Sequence, residues 1–166
     1  MIAGIETQKL QNTIYFLFIA IGVLAIDQLT KEAIIEHFAL HQSIEIIPGI
    51  FHITYIRNTG AAFGILSGGE TWRIYFFLVV GAVALISLFR FFYSNYKDPV
   101  VVTGTAMVCG GAAGNILDRI RYGYVIDFLD FFWGHYHWPA FNAADTAITI
   151  GVFLLLLHFI KASPEN

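Results

Sequence analysis

Apolar residues gather in four stretches divided by polar segments: Ile14 to Ile26, Ile74 to Phe92, Val100 to Leu117 and Thr146 to Ile160. A bilayer core takes about 20 apolar residues, with roughly 17 as the lower bound. The second and third stretches qualify as they stand. The first reaches that length only by continuing to Ile35 through Asp27 and Lys31, and the fourth only by starting near Phe141 or Asp145. The pattern predicts membrane spans at about 14–35, 72–92, 99–117 and 143–160, within one multi-pass domain over residues 1–166.

The connection from Glu32 to Thr71 is long for a helical bundle, where links usually run about 2–8 residues. Its stretch Ser43-Ile-Glu-Ile-Ile-Pro48-Gly49-Ile-Phe-His-Ile-Thr-Tyr-Ile-Arg57 mixes β-branched and aromatic residues around a Pro-Gly turn signal, which reads as short strands. The expected architecture is an all-α membrane protein of four transmembrane helices, with a small extracytoplasmic β-sheet between spans one and two.

Composition agrees. The chain is 57% hydrophobic and 13% charged, against roughly 25% charged residues in ordinary soluble domains. Mean hydropathy is +0.68. A net charge of -3 gives no argument for nucleic acid. The single Cys109 cannot form an intrachain disulfide; within an apolar segment and with no histidine near it in sequence, it reads as a packing residue. Asp27-Gln28-Leu29-Thr30-Lys31 follows the first apolar stretch where a signal peptide would carry a small-residue cleavage site, so that stretch reads as a retained span.

Four spans put both termini on one side. Lys9, Arg90, Lys97 and Lys161 lie there, against Lys31, Arg57, Arg73, Arg119 and Arg121 opposite. Charge bias is therefore nearly even. The termini are assigned to the cytoplasm because Arg57, Arg119 and Arg121 fall among polar motifs. Whatever the orientation, Asp27, Asn58, Asp118, Asp127 and Asp145 emerge at one membrane interface.

Acids at a bilayer edge are costly and usually functional. Asp27 and Lys31 share a helix face, and a stabilising salt bridge is the leading reading of that pair over a catalytic one. Asn58-Thr-Gly60-Ala-Ala-Phe-Gly64 is either a plain turn or a loop built for close backbone approach to a ligand. Gly110-Gly-Ala-Ala-Gly114 is a small-xxx-small pattern that seats one span tightly against another, holding Asn115 and Asp118 in position. His135 and His137 in an extended segment share a face, but no third ligand stands at a recognisable spacing. They read as interfacial residues; no metal site and no cofactor are expected, and activity should resist chelators.

The aspartates separate by surroundings. Asp118 precedes Arg119 and Arg121, cations that keep it ionised and suit it to anchoring. Asp127 lies among Val125, Ile126, Phe128 and Leu129, where burial favours the protonated form. Asp145 opens span four, where the helix dipole favours charge. A carboxylic acid facing a carboxylate is the working state of an aspartic protease pair. Asp127 with Asp145 is the preferred pair and Asp118 with Asp145 its rival. Asp130, three residues beyond Asp127, faces the other way in a strand and is assigned to a solvated rim.

These motifs, with Val125-Ile-Asp127-Phe and Phe141-Asn142-Ala-Ala-Asp145, occur in the order found in bacterial lipoprotein signal peptidases (signal peptidase II), which the chain resembles from span one to span four. The resemblance implies an aspartic endopeptidase of the bacterial cytoplasmic (inner) membrane, with Asp127 and Asp145 catalytic at the outer face. It implies substrate contacts from Asn58, Gly60, Asn115, Arg119 and Asn142, with Asp27, Lys31 and Asp118 as structural neighbours. Implied partners are diacylglyceryl-modified prolipoproteins, cut just before the lipidated cysteine, together with membrane lipids and globomycin-type inhibitors. A site on one chain suits a monomer. The alternatives are a proton- or ion-coupled transporter, which would carry acids near the bilayer midplane, and a scaffold, which would leave the Asn and Asp motifs unexplained.

Overall fold

The computed structural model describes residues 2–60 and 70–162. Four helices, α1 (Ile2–His37), α2 (Glu70–Ser94), α3 (Pro99–Tyr122) and α4 (Ala143–Ala162), are long and apolar enough to cross a membrane. Their exposure is inverted relative to a soluble bundle. On α1, Leu29 is 71% exposed while Asp27 and Lys31 are sealed at 0% and 1%. Apolar side chains facing outward around a buried ionic interior are the mark of a lipid-facing surface.

α1 begins well before the apolar stretch predicted it. At 1.5 Å per residue its 36 residues extend about 54 Å, more than a bilayer core. Its early turns are held by the end of α2 and the link that follows it. Asn12 Nδ2 donates to the Tyr96 carbonyl at 2.8 Å, and the Lys9 ammonium lies 3.5 Å above the Tyr93 ring.

α3 packs against the other three helices. Asp98 caps its start, accepting from Val100 N and Val101 N, with Pro99 in the first turn. Gly123 ends it at φ +81°, donating to the Arg119 carbonyl. Its glycines make several close approaches, two of the tightest onto the backbone of α1 and α4. A Cβ on Gly110 would lie 2.5 Å from the Ala20 carbonyl of α1, and one on Gly111 2.5 Å from the Ala144 carbonyl of α4. The small-residue stripe thus seats α3 against two helices at once.

The sheet is larger than the first link alone predicts. Strands β1 (Ser43–Ile47) and β2 (Phe51–Asn58) come from that link, but β3 (Val125–Trp133) and β4 (Tyr136–His137) come from the link between α3 and α4. The four pair antiparallel in chain order. A register shift on β2 between Ile53 and Ile56 puts one extra residue there against β3. Ile34, Tyr55, Ile126 and Phe128 bury themselves between the end of α1 and the sheet. A second cluster, Phe16, Phe92, Val102 and Ala106, closes the opposite end of the bundle.

Candidate active site

Asp127 enters from β3, opposite Ile56 and two register steps from the Asn58–Val125 pair. Its side chain is 2% exposed and accepts at both oxygens: from Asn58 Nδ2 at 2.8 Å and from Asn142 Nδ2 at 2.7 Å. Its carboxyl is pushed up to about 6 from an ordinary 3.8. Burial is the main cause; the bond from Asn58 opposes it, Asp145's charge adds to it, and Asn142 and Lys31 oppose it further.

Asp145 sits in the first turn of α4 in a reciprocal cap. Its backbone N–H donates to Asn142 Oδ1 at 2.9 Å, while its Oδ2 accepts from the Asn142 backbone N–H at 3.2 Å. This is a capping box with Asn and Asp in the two roles. Oδ1 of Asp145 accepts from Asn115 Nδ2 at 2.8 Å. Asn142, fully buried, therefore touches both acids, and its amide also reaches the Ile126 carbonyl and Asn115 Oδ1. These partners fix which way its amide points.

Behind the pair lies an ionic anchor. Lys31 Nζ reaches Asp27 Oδ2 at 2.9 Å, Asp118 Oδ2 at 2.9 Å and Asn115 Oδ1 at 3.0 Å. An ammonium has three N–H donors, so these contacts use all of them. The Asp27–Lys31 bridge is present as expected, with a second carboxylate added. Asp27 Oδ1 also accepts from Ala144 N at 2.9 Å, tying α1 to the start of α4.

Three expectations need correction. The ion-pair partner of Asp118 is Lys31 rather than the adjacent Arg119, because Asp118 turns inward to the α1 interface; it also accepts from Ile126 N at 3.1 Å. Arg119 instead bonds the Asn115 carbonyl at 3.0 Å and lies 4.6 Å from the Phe77 ring centre, within electrostatic reach of Asp127, Asp145 and Asp118. Asp130 does face away from Asp127, but it is only 8% exposed and meets His137 and His52, so it is not on a solvated rim. Finally, His135 falls in the β3–β4 turn while His137 is in β4, so the two are not a matched pair on one strand.

Gly60 adopts φ +74° and donates to Asn58 Oδ1 at 2.8 Å, which orients the amide that holds Asp127. Ala61 to Gly64 of that motif lie outside the described residues. Gln28, in the Asp27–Lys31 motif, is a further member of the anchor. It donates to Asp27 Oδ2 at 3.1 Å and Asp118 Oδ1 at 3.0 Å and accepts from Arg121, so it closes the anchor. Its polarity within a span was the available signal. Phe77, beneath Arg119, carried none, being one aromatic among many in α2.

The four spans and a buried polar cluster at one end of the bundle define a multi-pass membrane protein of enzyme type. Two solved structures, both described as bacterial membrane enzymes, share the fold. One, determined at 1.9 Å, aligns with TM-score 0.79 at 37% identity over 90% of this chain and 94% of the other. The second, at 2.3 Å, gives 0.77 at 36% identity over 92% and 93%. The signal peptidase (SPase) II family matches residues 19–161, and the chain belongs to it. Relatives named lipoprotein signal peptidase include those of Syntrophus aciditrophicus and Syntrophotalea carbinolica. The first is 49% identical over 92% of this chain and 96% of its own; the second is 46% identical over 90% and 92%. The chain is accordingly a membrane peptidase, and nothing in these likenesses favours a transporter.

Proposed function

We propose that the chain removes signal peptides from diacylglyceryl-modified prolipoproteins by aspartic catalysis, cutting before the lipidated cysteine, with Asp127 and Asp145 as the working pair. The observation that carries this reading is Asn142, which bonds both acids and keeps them in one site. Asp127, whose burial favours its protonated form, acts as the acid. Asp145, in the first turn of α4, acts as the base. The base takes a proton from water as the oxygen attacks the scissile carbonyl. The acid gives its proton to that carbonyl oxygen; Asp145 then passes the proton it took to the leaving amine nitrogen, and Asp127 recovers its own from a gem-diol hydroxyl as the C–N bond breaks.

Asn58, Gly60, Asn115, Arg119 and Asn142 serve this chemistry in two ways. The asparagines hold the acids, and Arg119 presents guanidinium N–H groups to the peptide backbone where little water competes. Asp27, Lys31 and Asp118 keep α1, α3 and α4 in register beneath the site. The termini lie in the cytoplasm and the site opens at the outer face of the bacterial inner membrane. There a signal peptide's apolar segment lies among the helices and the lipid chains stay in the bilayer. Globomycin-type peptides would compete for the same cleft, and a single chain suffices.

The test is cleavage by purified protein of one prolipoprotein with and without the diacylglyceryl group. Release of the signal peptide from the lipidated form alone supports the reading. Equal cleavage of both, or of neither, contradicts it.

A further inference from the structure

On the face of the sheet opposite Asp127, three side chains converge that the proteolytic reading leaves unused. Asp130 on β3 stands directly across from His52 on β2, and Phe132, two residues further along the same face, stands across from His137 on β4. Direct and diagonal cross-strand neighbours on one face are within reach of long side chains. Both histidines turn Nδ1 toward the carboxylate: His137 Nδ1 is 2.9 Å from each Asp130 oxygen, and His52 Nδ1 is 3.4 Å from Oδ2. One ligand atom from each of the three residues lies within 4.8 Å of the other two.

The rings are also held in place. His52 stacks on Phe132 at 4.1 Å and 21° between planes, and His137 lies 5.2 Å from the same ring at 15°. Phe132 thus fixes both imidazoles while Asp130 stays buried between them. Among the described residues no lysine or arginine bonds Asp130. The His52 contact, at 3.4 Å, is the longer and weaker of the two.

We propose that His52, Asp130 and His137 form a binding site for one divalent transition-metal ion of the zinc type. Two imidazole nitrogens and one carboxylate suit such an ion. Metal–ligand bonds of about 2.0–2.2 Å need donor atoms a little over 3 Å apart, so closure takes side-chain shifts of roughly an ångström. Each neutral imidazole then binds through Nδ1 and keeps its proton on Nε2. The half-exposed His137 leaves a side open for water as a fourth ligand. The ion would clip β4, which is only two residues long, to β2 and β3. It takes no part in the chemistry of Asp127 and Asp145.

The experiment uses the full chain in detergent, stripped with chelator and titrated with Zn2+ against a chromophoric competitor, and with Co2+ for its visible spectrum. Wild type, His137→Ala and His52→Ala are compared, with helix content by circular dichroism confirming that each is folded. Expected are one tight equivalent and a tetrahedral Co2+ spectrum in wild type. Either histidine substitution should weaken binding on the order of 100-fold or more. No tight equivalent in wild type, or equal binding by folded variants, overturns the site. The readout does not depend on peptide cleavage, so it stands or falls apart from the proteolytic reading.

Discussion

Asn142 donates from Nδ2 to Asp127 Oδ1 at 2.7 Å, while its Oδ1 accepts from the Asp145 backbone. One side chain is both the cap of α4 and the spacer between two acids. The two roles separate by substitution. Asn142→Asp keeps a good cap but replaces the donor with a third carboxylate. It should lower kcat by about 100-fold or more and depress the melting temperature most at neutral pH, where the added acid is charged against Asp127. Asn142→Ala should lose activity and, in addition, about 1 kcal/mol of stability from the cap. Steady-state cleavage and thermal melts in the same detergent separate the two.

Asp127 gives stability a distinct pH dependence. Its carboxyl stands near 6 when folded against an ordinary 3.8, chiefly through burial. Between those values the folded chain keeps a proton that the unfolded chain has released. Stability from this group therefore falls as pH rises through that window, by up to roughly 3 kcal/mol. Asp127→Asn removes the effect. The variant's melting temperature relative to wild type should rise from pH 4 to pH 7.5; a constant difference would rule the raised value out.

The same value shapes the rate. If the acid form of Asp127 is needed, kcat/KM should decline on the alkaline side with an apparent pKa near 6 or above, as a property of the coupled pair. A pH–rate profile on a lipidated substrate measures it. A rate that keeps rising through pH 8 would reverse the roles assigned to the two acids.

Among the described residues Lys31 is the one cation bonded to both buried carboxylates, so its loss should be severe. Lys31→Met leaves Asp27 and Asp118 facing one another without their cation, at a cost of about 3–5 kcal/mol. Adding Asp27→Asn and Asp118→Asn should restore part of that stability. Melting temperatures of the single and triple variants decide it.

Gly114 is the closest seam in the anchor. A Cβ there collides with the Asp27 carboxylate, which is itself fixed by Lys31 and by Ala144 N. Gly114→Ala should destabilise by about 1–3 kcal/mol and lower activity through displacement of the α4 start. An unchanged melt would mean that α1 and α3 part easily at that point.

Much of this was legible in the chain because membranes simplify the code. Length and hydropathy locate spans, and polar residues within or beside them stand out, as Asp27, Lys31, Asn115 and Asp145 do. The apolar neighbours of Asp127 correctly signalled its burial. What stayed hidden depended on long-range pairing. Asp118 chose Lys31, some ninety residues away, over its neighbour Arg119, because helix packing rather than sequence adjacency sets the partner. The recruitment of β3 into the sheet, and with it the burial of Asp130 beside His52, follows from a strand register that no local pattern announces. Val125, Ile126, Phe128 and Leu129, the apolar shelter of Asp127, are also part of a strand.

The central claim is that Asp127 and Asp145 perform the cleavage while Asp118 supports the structure. Single-turnover cleavage of a diacylglyceryl-modified prolipoprotein, with binding and thermal melts of each variant, tests it most directly. Asp127→Asn and Asp145→Asn should each abolish turnover in a folded protein that still binds substrate. Asp118→Asn should lose activity in step with a lowered melting temperature. Full turnover in either of the first two variants would contradict the assignment.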